Sequence, residues 1–329
     1  MGLSEQELLS AARGGDETAF ADLVGPYRSE LAAHCYRMLG SIQDAEDALQ
    51  EALLRAWRGL HRFEGRSSLR SWLYTIATNA SLRAIERRPA RVLPIDYGPA
   101  TADPHAPHDP PLLESVWVEP YPSPAARYEQ RESVELAFIA ALQHLPALQR
   151  AVLILRDVLG FSGAEVADAL QTTPEAVYSA LQRAHKTVER KLPEQTQQAT
   201  LRSLGEDGLR EIVQGYVDAW ERADVEALAA RLTKDAVMAM PPEPTWFHGQ
   251  DAVAAFLRAV PMQDHYRWRI LPTSANGQPA FAHYLWDDDE HAYMAHGIAV
   301  LTLEGDRISD MTIWRVPELH ARFGLPGRL

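Results

Sequence analysis

Residues 61–91 combine the side-chain types that bind single-stranded nucleic acid. The loop from His61 to Ser68 carries arginines, and the segment after it adds aromatic rings, small hydroxyls, an asparagine and further arginines. Aromatic rings stack on bases, and arginines follow a phosphate backbone. Trp72, Leu73 and Ile76 also have the spacing of core residues on one helix face. The segment therefore predicts a nucleic-acid surface built on a helix.

Titratable side chains in the last third of the chain could supply a general acid and a general base. They are Asp218, His248, Asp264, His265, His283, His291 and His296. No spacing among them singles out a pair, and the acidic run 287–290 suits a solvated turn. We therefore expect no catalytic residue, no metal site and no cofactor, and a protein that is not an enzyme.

The acidic charge of the chain is unevenly distributed. A formal net charge of −13 argues against a nucleic-acid partner, because phosphates are neutralised by Lys and Arg. However, residues 1–95 carry 12 basic and 12 acidic side chains, and residues 196–329 carry 12 basic and 19 acidic ones. Residues 96–125 carry five acidic side chains and no Lys or Arg. The excess lies outside the candidate nucleic-acid segments, which predicts weak DNA binding alone and a protein as the principal partner.

Length and composition indicate a multidomain protein of the cytoplasm. A chain of 329 residues suggests two or three domains, at roughly 100–200 residues each. No apolar run approaches the roughly 18 residues that cross a bilayer, and the first residues lack the pattern of a signal peptide. Cys35 is the single cysteine, so an internal disulfide is excluded. We expect no membrane contact.

Proline marks the main boundary between the predicted domains. Ten of the 22 prolines lie in residues 89–125. Because proline lacks an amide donor and disfavours a helix before it, this stretch predicts an extended, largely unpaired tether. The expected parts are a first helical module (1–90), an acidic, proline-rich connector (91–126), a second helical module (127–193) and a C-terminal module (207–329).

A strongly amphipathic helix is predicted in the first helical module, starting near Asp44 after a possible cap at Ser41. Alanines, leucines and Trp57 recur on one face. The other face is polar, and in isolation it would be interpreted as solvated. Its residues are Glu46, Asp47, Gln50, Glu51 and Arg55.

The first helical module resembles region 2 of the extracytoplasmic-function (ECF) sigma factors of bacterial RNA polymerase. The resemblance is carried by residues 44–57 and then by Leu69-x-x-Trp72-Leu73-x-x-Ile76-Ala77-x-Asn79. The resemblance implies an all-α helical bundle that docks on the clamp coiled coil of core polymerase and recognises the −10 element. The implied polymerase contacts are Asp47, Gln50, Glu51 and Arg55. The implied −10 contacts are Phe63, Arg66, Ser67, Ser68, Arg70, Trp72, Asn79, Arg83 and Arg87.

The second helical module predicts a helix-turn-helix. Ser162-x-x-Glu165 starts one helix, and Thr173-Pro174 starts the next. Its position resembles sigma region 4, which implies binding to the polymerase flap and to the −35 element through Glu175, Tyr178, Ser179, Gln182, Arg183 and Lys186. The sequence departs from the family in two places: Gln171 stands where a turn glycine is common, and Ala180 stands where the family often has a basic residue. These departures leave the detailed −35 specificity open. Gln171 is expected in a left-handed conformation.

The C-terminal module predicts helices followed by short strands, an α+β arrangement with a curved antiparallel sheet. It resembles the cone-shaped, SnoaL-like fold of polyketide cyclases and nuclear transport factors, and 276–280 is similar to a motif of sigma factors with this appendage. The expected ligand-pocket residues are Trp246, His248, Tyr284 and Trp286, with Met238, Met240 and Phe256 as further lining or core residues.

Together these patterns predict an ECF sigma factor that is regulated in cis by its C-terminal module. The expected partners are core RNA polymerase, −35 and −10 promoter DNA, an intramolecular contact of the C-terminal module with the helical modules, and a small ligand. Two interpretations of the connector stay open: it follows a path in polymerase that RNA otherwise occupies, or it is a solvated spacer. In either case the apolar rings of Trp117 and Tyr121 need a partner surface. Two alternatives stay open: a small-molecule enzyme tethered to DNA-binding modules, and a ligand-sensing helix-turn-helix repressor.

Overall fold

The computed structural model describes residues 3–88, 90–103, 105, 110–112, 116–123, 135–192 and 195–329. The chain forms two compact units, and each is assembled from two separate segments. A helical unit comprises residues 1–91 and 138–192, and a mixed unit comprises residues 92–137 and 193–329. The connector therefore belongs to the same unit as the C-terminal module. Its central prolines 104 and 107 lie outside the described residues.

In the first helical module, the residues that the structure describes form five α-helices. They are α1 (Glu5–Arg13), α2 (Glu17–Val24), α3 (Arg28–Leu39), α4 (Ile42–Gly59) and α5 (Leu69–Arg87). The predicted cap at Ser41 is confirmed, because its side chain accepts from the Asp44 amide. Ser4 and Glu7 form a reciprocal capping box at the start of α1. The helices α3, α4 and α5 pack together around Leu31, Ala56 and Ala77, whose small or branched side chains are buried.

The connector contains one short helix among its described residues, α6 (Pro94–Tyr97), and the second helical module follows it. The second helical module contains α7 (Leu136–Gln143), α8 (Ala147–Leu153), α9 (Gly163–Ala169) and α10 (Pro174–Val188). Ser162 and Glu165 form the predicted capping box, and Thr173 caps α10 with Pro174 in its first turn. Gln171 has a φ of 52°, which confirms the expected left-handed residue in the helix-turn-helix.

A buried arginine joins the two halves of the helical unit. Arg150 on α8 is only 3% exposed, and its guanidinium donates to the Met38 carbonyl of α3, to Gln143 Oε1 at 2.6 Å and to the Leu145 carbonyl at 3.3 Å. Burial lowers the pKa of Arg150 to about 10, so the side chain stays charged near neutral pH. The arginine thus satisfies main-chain acceptors of both helical modules at once.

The mixed unit is built on one six-stranded sheet. Helices α11 (Gln197–Glu221), α12 (Val225–Ala229), α13 (Gln250–Ala259) and α14 (Leu319–Arg322) accompany strands β1 (Leu232–Ala239), β2 (Trp246–His248), β3 (Trp268–Ala275), β4 (Gln278–Asp287), β5 (Ala292–Glu304) and β6 (Arg307–Trp314). The strand order is β2-β1-β6-β5-β4-β3. Helices α11, α12 and α13 pack with the sheet around an apolar core that contains Tyr216, Phe256 and Leu301.

The predicted α+β class is confirmed, but the sheet is mixed, because β1 runs parallel to β6 while the other neighbouring pairs are antiparallel. The sequence missed β1. Helix α12 ends at Ala229, and Leu232 begins the strand. Helix α11 is kinked at Gly205, which has a φ of 66°.

The described parts of the connector are paired, in contrast to the unpaired tether that the prolines predicted. The Thr101 amide donates to the Trp246 carbonyl at 2.8 Å, and the Leu112 amide donates to the Pro242 carbonyl at 3.0 Å. Residue Pro122 forms an isolated bridge with Ala275. Amides between the prolines find acceptors in the C-terminal module, because a main-chain donor without a partner is costly when water is excluded.

Within the part of the chain that the structure describes, none of the helices has the length and apolar character that crossing a membrane requires.

Replacing Arg150 by methionine removes the buried donors while keeping a long side chain. We expect a local loss of stability of about 3 kcal/mol, because several carbonyls lose their partner. Hydrogen exchange of peptides covering 31–40 and 138–153 should accelerate. Arg58→Met, at an exposed arginine of α4, should leave those peptides unchanged. Equal exchange in the two variants would contradict the role of Arg150.

Candidate nucleic-acid interface and ligand cavity

The outer face of α4 presents the residues predicted to bind polymerase. Asp47, Gln50 and Glu51 are exposed, and Arg55 is half-buried. Arg55 pairs with Glu51 at 2.5 Å, and Arg88 approaches Asp47 at 3.5 Å. Ion pairs as exposed as these contribute between about 0 and 1 kcal/mol, so they exchange readily for contacts with a partner.

An apolar groove lies beside this face. It is lined by Phe20, Leu49, Leu53, Leu54 and Trp57, together with polar residues that include Gln50. The sequence assigned Leu53 and Trp57 to the core, but both are only half-buried, and Leu54 is exposed. The groove could not be predicted from the sequence of α4, because the spacing of apolar residues shows one apolar face but does not show which part of it the neighbouring helices cover.

The loop before α5 and the exposed side of α5 carry the predicted −10 contacts. Arg66, Ser67 and Ser68 are exposed, as is Arg87, while Asn79 and Arg83 are half-buried. Ser68 caps α5 by accepting from the Ser71 amide at 3.0 Å. The described residues of the loop therefore hold hydroxyls and a guanidinium toward solvent.

Three other predicted −10 residues have contacts inside the helical unit. Phe63 is buried and packs against half-buried Trp72, with ring centroids 5.0 Å apart. Arg70 pairs with Glu30 at 3.3 Å and lies over the Phe161 ring of the second helical module. These side chains support the loop in this arrangement, and they would have to leave those contacts to reach a base.

Helix α10 exposes every residue predicted for −35 recognition. Glu175, Tyr178, Ser179, Gln182, Arg183 and Lys186 are all exposed. Their three- and four-residue spacing places them on one face, opposite the buried Val177, Ala180 and Ala184. Tyr178 is 63% exposed, an unusual position for a large aromatic ring. Such a face fits a major groove, where side chains meet the edges of bases.

The mixed unit contains a cavity of about 110 Å³. Its walls include Trp220, Met238, Met240, Phe256, Tyr266, Trp268, His283, Leu285, His296 and Arg315. Met238, Met240 and Phe256, which the sequence suggested as lining or core residues, are on this wall. The sequence did not assign Trp220, Trp268, His283 and His296 to the pocket, and they are on the wall as well.

The four residues expected in the ligand pocket lie elsewhere. Side chains alternate along a strand, so Tyr284 and Trp286 of β4 face away from the side that presents His283 and Leu285 to the cavity. The Tyr284 hydroxyl donates to the Pro326 carbonyl at 2.9 Å. Trp286 packs under Arg267, with the guanidinium 4.3 Å from the ring centroid.

Trp246 and His248 of β2 are also absent from the cavity wall. The Trp246 indole donates to the Gly98 carbonyl of the connector at 2.8 Å, and His248 is exposed. Their chemical types suited a pocket, but the sheet order places β2 at an edge.

Two histidines of the cavity, the buried His283 and the half-buried His296, are neutral near pH 7. Burial holds the pKa of His283 well below its usual value, and burial lowers the pKa of His296 to about 4. His283 Nε2 lies 3.0 Å from the Tyr216 hydroxyl, and burial raises the pKa of that phenol. Among the residues that the structure describes, no group of three His, Cys, Asp or Glu side chains could hold a metal ion.

Comparison with known proteins matches all three modules. Residues 23–90 match the family described as Sigma-70 region 2, residues 135–188 match Sigma-70, region 4, and residues 213–311 match the SnoaL-like domain. The chain is 41% identical over 328 residues to the ECF RNA polymerase sigma factor SigG of Mycobacterium tuberculosis, covering 96% of this chain and 86% of that protein.

Two further similarities come from the same organism. The ECF RNA polymerase sigma factor SigM is 32% identical over 189 residues, which span 57% of this chain and 85% of SigM. The crystal structure of the extracytoplasmic function sigma factor SigJ superimposes with a TM-score of 0.57 at 20% identity, covering 92% of this chain and 99% of SigJ. The SigJ comparison supports the fold.

A Sigma-70 region 2 followed by a Sigma-70 region 4 defines the class of promoter-recognition factors. The chain belongs to the ECF RNA polymerase sigma factors, and it carries a SnoaL-like domain after regions 2 and 4. It is thus a transcription initiation factor whose partners are core RNA polymerase and promoter DNA.

Replacing Tyr178 by alanine should reduce promoter use without weakening the fold. The ring is largely exposed, so its loss should change the melting temperature little, whereas loss of a base contact of about 1–3 kcal/mol lowers promoter affinity at least fivefold. The measurement is in-vitro transcription on promoters enriched from a random library. Glu189→Ala, at an exposed residue past the end of α10, is the control. Equal transcription by the two variants would contradict the assignment.

Proposed function

We propose that the outer face of α4 and the adjacent apolar groove form the docking surface for the clamp coiled coil of core polymerase. The face offers exposed carboxylates held only by weak surface pairs, and the groove offers uncovered leucines. A protein interface typically combines such an apolar centre with a polar rim. The polymerase flap is the proposed partner of the second helical module.

The proposed −10 surface comprises Arg66, Ser67, Ser68, Asn79 and the arginines of α5. The proposed −35 surface is the exposed face of α10. What supports the −35 surface is that all of its side chains are exposed. On the −10 surface, Arg66, Ser67, Ser68 and Arg87 are exposed, whereas Arg70, Asn79 and Arg83 are half-buried. The arginines and Lys186 can contact phosphates, while Gln182 and Ser179 meet base edges. Polymerase holds both surfaces on the promoter, which compensates for the near-neutral charge of each module.

We propose further that the C-terminal module regulates the factor through the connector. The observation that carries this proposal is a reciprocal pair of hydrogen bonds: the Tyr121 amide donates to Asn276 Oδ1 at 2.8 Å, and the Asn276 amide donates to the Tyr121 carbonyl at 2.8 Å. Asn276 is completely buried, so both bonds form away from water.

Neighbouring connector residues are bound in the same way. The Trp117 indole donates to the Pro242 carbonyl at 2.9 Å, and the Val118 carbonyl accepts from the Trp314 indole at 2.8 Å. Trp117 is 5% exposed, so the apolar partner surface that its ring needed lies within the mixed unit. Residues 116–123 are thus held by side chains and main chain of the C-terminal module.

The connector joins sigma regions 2 and 4, which must reach two separate promoter elements. A connector bound to the C-terminal module has less freedom to span them. Release of residues 116–123 therefore raises promoter-specific initiation, and retention lowers it. We propose regulation rather than catalysis for this module, acting in the cytoplasm with polymerase. No carboxylate lies among the described residues that line its cavity, and the predicted acids Asp218 and Asp264 are not on the wall.

Reversing the charge of Asp47 tests the docking surface. Asp47→Arg should weaken binding to core polymerase roughly tenfold, a loss of about 1.4 kcal/mol, because an exposed acidic contact becomes repulsive. Fluorescence anisotropy with labelled chain and core enzyme measures this without DNA. Asp306→Arg, an identical change at an exposed turn residue of the C-terminal module, should bind normally. Unchanged affinity of the Asp47 variant would remove the assignment.

Asn276→Gly tests regulation through the connector. Glycine accepts the left-handed φ of 56° at this position, so the turn survives while the acceptor for the Tyr121 amide is lost. Because such a bond contributes about 1 kcal/mol, initiation in vitro should rise about fivefold, and exchange of the Tyr121 and Ser123 amides should accelerate. A chain of residues 1–195 should be at least as active as the variant.

His291→Gly is the matched control, because His291 also has a positive φ, is exposed and lies in a different turn. It should change neither transcription nor connector exchange. Faster exchange without a change in transcription would show that the bond exists but does not regulate. Identical activity of the full chain, the variant and residues 1–195 would refute cis regulation.

A further inference from the structure

The middle of the exposed face of α10 is a row of polar side chains with an acid at its start. The row consists of Glu175, Ser179, Gln182 and Lys186, all of them exposed. At about 100° per residue, Glu175 points about 180° away from the mean direction of the buried side chains of this helix. Those buried residues are Val177, Ala180, Ala184 and Val188. Glu175 therefore lies at the centre of the face and not at its rim.

Charge is separated along α10. The structure describes every residue of this helix, and Glu175 is its one acidic side chain, placed in the first turn. The formally positive residues Arg183 and Lys186 lie in the second half. In a helix-turn-helix, the N-terminal residues of the second helix contact base edges, while Arg and Lys contact phosphates. The carboxylate thus meets the bases, and the phosphates, which would repel it, meet the basic half.

The carboxyl of Glu175 is ionised near neutral pH. Hydrogen bonds from its own amide and from Thr173 hold the pKa of this group below its usual value. The Thr173 hydroxyl also caps the helix by accepting from the Ala176 amide at 3.2 Å. An ionised carboxylate only accepts hydrogen bonds, and its two oxygens offer about four acceptor positions. Acceptor positions therefore remain for a base after the contacts at the cap.

The four bases differ in what they offer a carboxylate in the major groove. Guanine presents two acceptors, N7 and O6, and thymine presents the O4 acceptor and a methyl group. Adenine presents its N6 amino group beside the N7 acceptor, which repels a second carboxylate oxygen. Cytosine presents the N4 amino group with no acceptor beside it on the same base. A carboxylate at this position therefore selects cytosine.

We infer that Glu175 is a specificity-determining residue, and that its carboxylate accepts a hydrogen bond from the N4 amino group of a cytosine in the −35 element. The inference rests on the proposed −35 function of α10 and names one base pair within its target. It accounts for an acid at the centre of a face that otherwise has polar and basic side chains.

The experiment selects promoters that the full chain transcribes with core polymerase, from a library randomised across the −35 region. The unaltered chain should enrich cytosine at one position at least fivefold over each other base, because a good contact with a base edge discriminates by that factor or more. Glu175→Gln keeps the shape of the side chain and adds an amide donor. The same position should then favour adenine, since glutamine pairs with adenine N6 and N7.

Glu189→Gln is the matched control. It makes the same substitution at an exposed residue about 21 Å further along the axis of α10. This variant should retain every base preference of the unaltered chain. Single-round transcription on four promoters that differ only at the selected cytosine measures the preference of each chain directly.

Each result decides the role of Glu175. Identical base preferences in the unaltered chain and the Glu175 variant would overturn the inference, as would a preference of the unaltered chain for guanine or thymine at the position that the variant changes. A uniform rise in initiation on all promoters would show general repulsion of DNA by Glu175 and would overturn it as well. Initiation by the unaltered chain without any −35 preference would instead overturn the proposed −35 surface.

Discussion

Reciprocal hydrogen bonds between Tyr121 and Asn276 help to hold the connector in the same unit as the C-terminal module. A proline-rich segment has few amide donors, and each remaining amide needs an acceptor if it is to leave water. Asn276 supplies both an acceptor and a donor from one buried turn. The connector therefore joins the C-terminal module, and the helical unit is assembled from two segments separated by 46 residues of chain.

In the helical unit, a buried charged side chain supplies hydrogen-bond donors to main-chain carbonyls. Arg150 donates to carbonyls of both helical modules, so one side chain takes the place of several main-chain donors. The outer faces of α4 and α10 remain largely exposed, as the proposed polymerase and −35 surfaces require. The acidic charge of the chain is carried elsewhere, which reconciles a net charge of −13 with a promoter-binding protein.

In the C-terminal module, aromatic polar side chains pair within the core. His283 Nε2 lies 3.0 Å from the Tyr216 hydroxyl, and the Trp268 and Trp314 indoles donate to main-chain carbonyls. Closely packed interiors rarely leave a buried donor open. These hydrogen bonds therefore fix the orientation of the large rings around the sheet.

The sequence alone determined the helices, the caps, the left-handed Gln171 and the exposed face of α10, because these follow from local spacing and from backbone chemistry within a few residues. It also indicated the family through motifs in order. Only the tertiary structure decided the parallel placement of β1, the bound connector and the cavity wall. Each of these depends on contacts between residues distant in the chain. Trp246 and Trp286 have side chains that suit a pocket, but the sheet order and the alternation of side chains along a strand place them outside the cavity wall. His296 lies on the wall, at the position where β5 has an extra residue in its pairing with β4.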